Sequence, residues 1–175
     1  ILVKSVKTIV DQVDAMKRLV NDFRDFGRLP SADLKPVDLN ALIADVLLLY
    51  GDTSAQTEHP AHVPIQTQLD PACPPIQADA QQLRQVLHNL LQNAQDATES
   101  AMLQPTIGND QEKALGKTVL LSTQWRKTSK RVRLVIQDQG SGFPEAILKR
   151  AFEPYVTTKA KGTGLGLAVV KKIAD

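Results

Sequence analysis

The run Arg131-Val132-Arg133-Leu134-Val135-Ile136-Gln137-Asp138-Gln139-Gly140-Ser141-Gly142 decides the fold class. Val132, Leu134 and Ile136 alternate, as in a strand with one face in a core. Val119, Leu121 and Thr123 alternate in the segment before it, and the polar turn Arg126 to Lys130 joins the two. An antiparallel hairpin over 117–125 and 131–138 is expected. The second strand ends in a carboxylate followed by spaced glycines, which let a backbone approach a flat ligand closely. An aspartate there can accept a hydrogen bond from an exocyclic amine of the kind adenine carries. A plain strand-end turn is the other reading, because Asp and Gly are common in turns. The segment alone leaves both open.

Toward the N-terminus, Asp79 opens a helix, with Gln82 three residues on as its capping-box partner. Leu83, Val86, Leu87, Leu90, Leu91 and Ala94 recur at helical spacing and form its buried face. Asn89 and Asn93, four apart, share a face on the flank of that stripe. Two carboxamides there can offer oxygens to a hard cation such as Mg²⁺, which needs few protein ligands when phosphate oxygens and water supply the rest. A pair of asparagines on a solvated helix surface is the bland alternative.

Toward the C-terminus, Phe152-Glu153-Pro154-Tyr155-Val156-Thr157-Thr158-Lys159 places aromatics and a proline in a polar stretch, and Lys159 and Lys161 bring positive charge close to more glycines. Gly162-Thr163-Gly164-Leu165-Gly166-Leu167 then leads into a helix over 168–173. Such a turn aims backbone N–H groups at one spot with the positive helix end behind them, an anion site suited to phosphates. No Gly-Lys-Ser/Thr follows, so it is not a Walker A loop. Its spacing and its approach from a loop exclude a Rossmann fingerprint.

The rest of the chain frames these segments. Leu2, Val6, Ile9, Val13, Met16, Val20 and Phe23 make a heptad seam, widened by Val3, Val10, Leu19 and Phe26. That is more apolar surface than one helix hides, so partner helices are expected. Pro30, Ser31 and Pro36 mark a linker, and Asp38 caps a helix carrying Leu39, Leu42, Ile43, Val46, Leu47 and Leu49. A polar, turn-rich stretch, Gly51 to Pro64, overlaps the start of a half-buried strand with Val63, Ile65, Thr67 and Leu69; Met102 to Gly116 reads as a loop. The 175 residues are 42% hydrophobic and 23% charged, the balance of a globular protein. A net charge of +2 with interspersed signs and an aromatic content of 4% exclude a dedicated nucleic-acid binder. The single cysteine, Cys73, excludes an internal disulfide or a Cys-rich zinc site and fits a reducing compartment. No stretch reaches membrane-spanning length, so no membrane contact is expected here.

In this order and spacing, four segments resemble the ATP-binding domain of sensor histidine kinases, nearest the nitrogen-regulation type. Gln85 to Ala94 resembles the N box, and Asp138-x-Gly140-x-Gly142 the first glycine box. Phe152-Glu153-Pro154-Tyr155 is similar to the F box, and Gly162 to Leu167 to the second glycine box. The likeness implies a two-layer α/β sandwich of the histidine kinase, Hsp90 and gyrase ATP-binding type, preceded by a long helix. It divides the chain into a partial dimerisation and phosphotransfer helix, 1–29, a linker, 30–37, and a C-terminally truncated catalytic domain, 38–175. It implies that Asn89 and Asn93 contact Mg²⁺ and the ATP phosphates, with Asn93 the firmer ligand. Asp138 would take the adenine amino group, with Gly140 and Gly142 close to the purine. Phe152 would anchor a lid, and Lys159, Gly162, Thr163, Gly164, Leu165, Gly166 and Leu167 would hold the phosphates. The implied partners are ATP, the receiver domain of a response regulator, and a second copy through the leading helix. The implied location is the cytoplasm, with an inner-membrane anchor for the parent.

Departures from the pattern matter. Gln139 stands where many members carry Asn, and Gln95 and Asp96 where some carry a basic residue. The family's acceptor histidine lies in a motif like His-Glu-Ile-Lys-Asn-Pro. His59 and His62 fall in a polar loop, and His88 points away from both asparagines and the apolar stripe, as a surface or inter-domain histidine. The absent initiator Met and the stop inside a helix lead us to expect a fragment, and the missing acceptor histidine leads us to expect that it cannot label itself. Members that hydrolyse ATP carry a glutamate on the N-box helix, where Asn89 stands, which favours kinase over hydrolase. The rivals are an ATPase module of the gyrase and Hsp90 kind and a non-enzymatic, nucleotide-dependent regulator.

Overall fold

The structure, a computed structural model, describes residues 6, 10, 12, 13, 16, 17, 20, 23, 24, 27, 30–51, 63–103, 117–159 and 162–175. The expectations for Leu2, Val3, Ile9, Leu19 and Phe26, for His59, His62 and Lys161, and for most of the two loops at 51–64 and 102–116 concern residues outside these. The chain divides into two compact units, 32–142 and a second that groups 1–31 with 143–175.

The first unit runs β1 (Lys35–Val37), α1 (Leu39–Gly51), β2 (Ile65–Gln68), β3 (Ile76–Ala78), α2 (Ala80–Leu103), β4 (Val119–Arg126) and β5 (Arg131–Gln137). The expected hairpin is present, with Leu121 opposite Ile136 and Thr123 opposite Leu134. Strand β2 lies parallel to β4 on its other side, with Ile65 opposite Val119. A parallel pair needs a long crossover, and α2 lies in that connection. β1 pairs with β3 as a separate antiparallel ribbon, with Pro36 opposite Gln77. Part of the segment read as linker is therefore strand. Pro36 is tolerated because a two-stranded ribbon has edges on which a missing N–H goes unfelt.

The helices start where the sequence says. The Ala41 N–H donates to Asp38 Oδ1 at 3.1 Å. The Gln81 and Gln82 N–H groups donate to Asp79 Oδ1 at 2.9 and 3.1 Å. Asp79 Oδ2 also accepts from the Asp33 N–H at 3.0 Å. These backbone donors, Asp33 first, hold the Asp79 carboxyl below the usual carboxylate range. At its far end α2 runs to Leu103, and the Lys117 ammonium donates to the Ala101 carbonyl at 3.2 Å, where a cation suits the helix dipole.

One core joins the layers: Leu39, Leu42, Ile43 and Val46 from α1, Leu87, Leu91 and Ala94 from α2, and Val119 and Leu121 from β4. Each of the Leu, Ile and Val side chains contributes about 1.5–3 kcal/mol on full burial. A polar clip ties α1 to the sheet. The Thr123 hydroxyl donates to Asn40 Oδ1 at 2.9 Å and accepts from the Asp70 N–H at 3.0 Å. Asn40 Nδ2 donates to the Asp70 carbonyl, and the Asp70 carboxylate accepts from the Trp125 and Ala72 N–H groups. Those two donors, Trp125 first, lower the Asp70 pKa. The opposite sheet face carries Gln68, Ser122, Gln124 and Arg133, which line a shallow polar groove.

In the second unit, α3 (Glu145–Leu148) is a single turn begun at Pro144, whose carbonyl accepts from the Ile147 and Leu148 N–H groups. It was not foreseen, because one turn carries no periodicity. Helix α4 (Gly166–Ala174) buries Ala168, Val169 and Val170. It starts two residues ahead of the expected 168, since the sequence pattern reads Gly166 as turn whereas the structure uses it as the first helical residue. The described residues of the leading helix leave Val6, Val10, Val13, Met16, Val20 and Phe23 exposed. No helix among the described residues is long and apolar enough to cross a membrane.

Candidate functional site

Asn89 and Asn93 are half-buried on α2, and Ala97 continues their row at the same spacing of four. Successive members of such a row are about 6 Å apart along the axis. The loop after β5 docks at the end of this row. A Cβ on Gly140 would lie 2.7 Å from the Ala97 Cβ and 3.0 Å from its carbonyl carbon and oxygen. Only glycine allows that approach. One residue further along α2, Thr98 is fully buried and bonds both ways. Its hydroxyl donates to the Ala94 carbonyl at 2.8 Å and accepts from the Gln139 N–H at 3.1 Å. The asparagine row and the Asp138 loop are thus brought together within one unit.

Asp138 itself is exposed. Its Oδ1 accepts from the Gly140 N–H at 2.9 Å, an Asx turn that orients the carboxylate. Gly142, at φ +76°, occupies the left-handed region that favours glycine. Gln139 turns its side chain to the sheet, where Oε1 accepts from the Thr118 N–H at 3.3 Å. Gln95 is likewise engaged, donating through Nε2 to the Val63 carbonyl at 3.2 Å. Both departures from the family pattern therefore serve local structure. His88, read as a surface histidine, is exposed, and its Nδ1 meets the Tyr50 hydroxyl at 2.8 Å. Burial, helped by Asp96, pushes the Tyr50 phenol up to about 12.

Phe152, Lys159 and Gly162 to Leu167 belong to the second unit. There the second glycine turn folds onto the segment after Phe152. The Tyr155 N–H donates to the Gly164 carbonyl at 2.9 Å, and both residues have positive φ, +65° and +69°. A Cβ on Gly164 would lie 2.6 Å from the Tyr155 carbonyl carbon. The Gly162 N–H donates to the Lys159 carbonyl at 3.1 Å, and the Thr163 hydroxyl accepts from the Leu165 N–H at 3.4 Å. Leu165, fully buried, is the residue before α4 and supplies no side-chain cap; the opening N–H groups of a helix are the kind of donors an anion meets. Phe152 and Lys159 are exposed. Thr98 is the residue that sequence reasoning missed. Its signal was present, because Leu87, Leu91, Ala94 and Thr98 continue one buried row, and a hydroxyl in such a row needs partners.

A glycine-bounded carboxylate locked to an asparagine-bearing helix, with a separate glycine turn at a helix start, defines a class of nucleotide-binding domain. The family model described as histidine kinase-, DNA gyrase B-, and HSP90-like ATPase matches residues 78–175, and the chain belongs to that family. Among its relatives, the signal transduction histidine-protein kinase AtoS of Escherichia coli is 31% identical over 170 residues, covering 97% of this chain and 25% of AtoS. The nitrogen regulation protein NtrY of Azorhizobium caulinodans is 32% identical over 168 residues, covering 96% of this chain and 20% of NtrY. The sensory histidine kinase/phosphatase NtrB of Rhizobium meliloti is 31% identical over 179 residues, covering 95% and 42%. The chain thus spans less than half the length of each of these relatives. Full-length ShkA, solved in complex with AMPPNP, superposes with a TM-score of 0.71 at 28% identity, covering 98% of this chain and 33% of ShkA. The catalytic domain of the histidine kinase ThkA superposes at 0.60 and 28% identity, covering 81% and 79%. The fold is the α/β fold of histidine kinase ATP-binding domains, as the sequence implied.

Proposed function

We propose that this chain is the catalytic part of a sensor histidine kinase that passes the γ-phosphoryl group of ATP to a histidine nitrogen on a hairpin helix, for relay to a response regulator. The observation that carries this is the junction of α2 with the Asp138 loop, where Gly140 abuts Ala97 and Thr98 bonds Gln139. In this reading Asp138 accepts the adenine amino group, and Gly140 and Gly142 let the backbone lie against the purine. The N–H groups at the start of α4, the Gly162 to Leu167 turn and Lys159 hold phosphate oxygens, and Phe152 anchors a lid. The carboxamide oxygens of Asn89 and Asn93 are hard donors on one half-buried face and fit a dication shared with phosphate. Mg²⁺ held there would neutralise charge on the transferred group. Little covalent chemistry is asked of the protein, because phosphoryl transfer passes through a loose transition state. Asn89 has no basic group with which to activate water, which supports transfer over hydrolysis.

Residues 1–29 serve as the second helix of the hairpin, with 30–37 as its joint and 38–175 as the catalytic domain. The exposed apolar residues from Val6 to Phe23 support self-association through that helix. Free Cys73 fits a cytoplasmic setting. The test is incubation of the full-length protein with γ-labelled ATP. Acid-labile, alkali-stable label on a histidine outside this chain is expected, and this chain alone stays unlabelled. Steady ATP turnover with no phosphohistidine would overturn the reading in favour of an ATPase module.

A further inference from the structure

Thr98 is fully buried, lies outside every motif that carries the family resemblance, and uses its hydroxyl as donor to the helix and as acceptor from the loop. It donates to the Ala94 carbonyl at 2.8 Å and accepts from the Gln139 N–H at 3.1 Å. Gln139 is flanked by Asp138, whose Oδ1 is fixed by the Gly140 N–H at 2.9 Å, and by Gly140, which is pressed against Ala97. The peptide between Asp138 and Gln139 is therefore held from one side by a hydroxyl and from the other by a steric stop.

We infer that Thr98 is the positioning residue of the base-reading carboxylate: it sets the Asp138–Gln139 peptide, and through it the direction in which Asp138 meets an exocyclic amine. This rests on the assignment of Asp138 to the adenine amino group. A hydroxyl is needed because a single side chain must donate to the helix and accept from the loop, which no aliphatic residue can do. Loss of the acceptor leaves the part-buried Gln139 N–H without its partner and frees the peptide to rotate toward another one. The Asp138 carboxylate rotates with it, so base selectivity falls more than phosphate-driven affinity does.

The experiment compares calorimetric affinities for ATP and for purine riboside triphosphate, which carries hydrogen in place of the amino group. A charge-assisted hydrogen bond makes the wild-type preference for ATP about 30-fold. Asp138→Asn should bring that ratio near one. Thr98→Val should reduce it to about threefold, and Thr98→Ser, which keeps the hydroxyl, should restore it. Replacing the Gln139 amide by a backbone ester removes the donor without touching the core, and should lower the ratio as Thr98→Val does even if that variant fails to fold. Equal weakening toward both nucleotides in Thr98→Val, or an unchanged ratio in the ester, would overturn the positioning role. Failure of the Asp138 reading looks different: wild type and Asp138→Asn would then bind both nucleotides alike.

Discussion

The Asp138 loop and the Gly164 turn are both glycine-built, yet they are held in different ways. The first is braced by a buried helix: Thr98 bonds it, Ala97 limits it, and the α2 face beneath joins the main core. The second is closed on its own chain, by one backbone hydrogen bond between Tyr155 and Gly164 and a pair of positive φ angles. The side chains around it, Phe152 and Tyr155, are 51% and 58% exposed. Under the proposed function, a braced loop would suit reading one purine, and a locally closed, exposed turn would suit holding and releasing a triphosphate. The comparison also separates selectivity from grip. Selectivity belongs where a group is over-determined by its surroundings, and grip where the backbone itself supplies the donors.

The largest expected effect is on the braced side. Asp138→Asn should weaken ATP binding by about 30-fold to 100-fold while leaving the melting temperature unchanged, since an exposed carboxylate is lost. Calorimetric titration and thermal melts of the same samples check both halves of that statement. Next come the paired glycine variants. Gly140→Ala drives a Cβ into Ala97 and should destabilise the whole unit by about 1–3 kcal/mol, read from urea midpoints. Gly164→Ala adds strain at φ +69° and drives a Cβ to 2.6 Å from the Tyr155 carbonyl carbon, a clash within the turn's own segment. It should speed amide exchange over 155–165 with a smaller change in the global midpoint. If Gly164→Ala proved the more globally destabilising of the two, the contrast between braced and self-closed loops would fail.

Acid sharpens the same contrast. Asp70 and Asp79 both have folded pKa values below the ordinary carboxylate range, from backbone N–H donors. Their stabilising contribution is complete above that range and is lost as pH falls through the depressed folded values. Urea midpoints for 32–142 should therefore drop between neutral pH and the acid limb. Asp70→Asn and Asp79→Asn should each lower the neutral-pH midpoint and flatten that drop. The smallest effect is at the hairpin tip, where Arg126 and Arg131 are direct cross-strand neighbours. Arg131→Glu should stabilise by a few tenths of a kcal/mol at low salt, and the gain should fade as salt rises.

Local rules carried much of the fold. Asp38 and Asp79 announced their helices, and the alternation of Val119 to Thr123 with Val132 to Ile136 announced the hairpin. What stayed hidden was nonlocal. Ile76 to Ala78 is strand only because Lys35 to Val37, far away in sequence, pairs with it. The bond from Thr123 to Asn40 spans 83 positions, which no window of sequence contains. Within the site, residue types were legible while supports were not. Asp138, Gly140, Asn89 and Asn93 could be picked out as candidates, with roles supplied only by the family resemblance, but Thr98 differs from its neighbours only by a hydroxyl whose use depends on where the loop after β5 comes to rest.

The most direct measurement is a crystal structure of this chain with AMPPNP and Mg²⁺. The expected result is the adenine amino group within about 3 Å of a carboxylate oxygen of Asp138, with the Gly140 backbone lying along the purine. A base bound elsewhere, or an Asp138 carboxylate directed to solvent beside an ordered nucleotide, would contradict it.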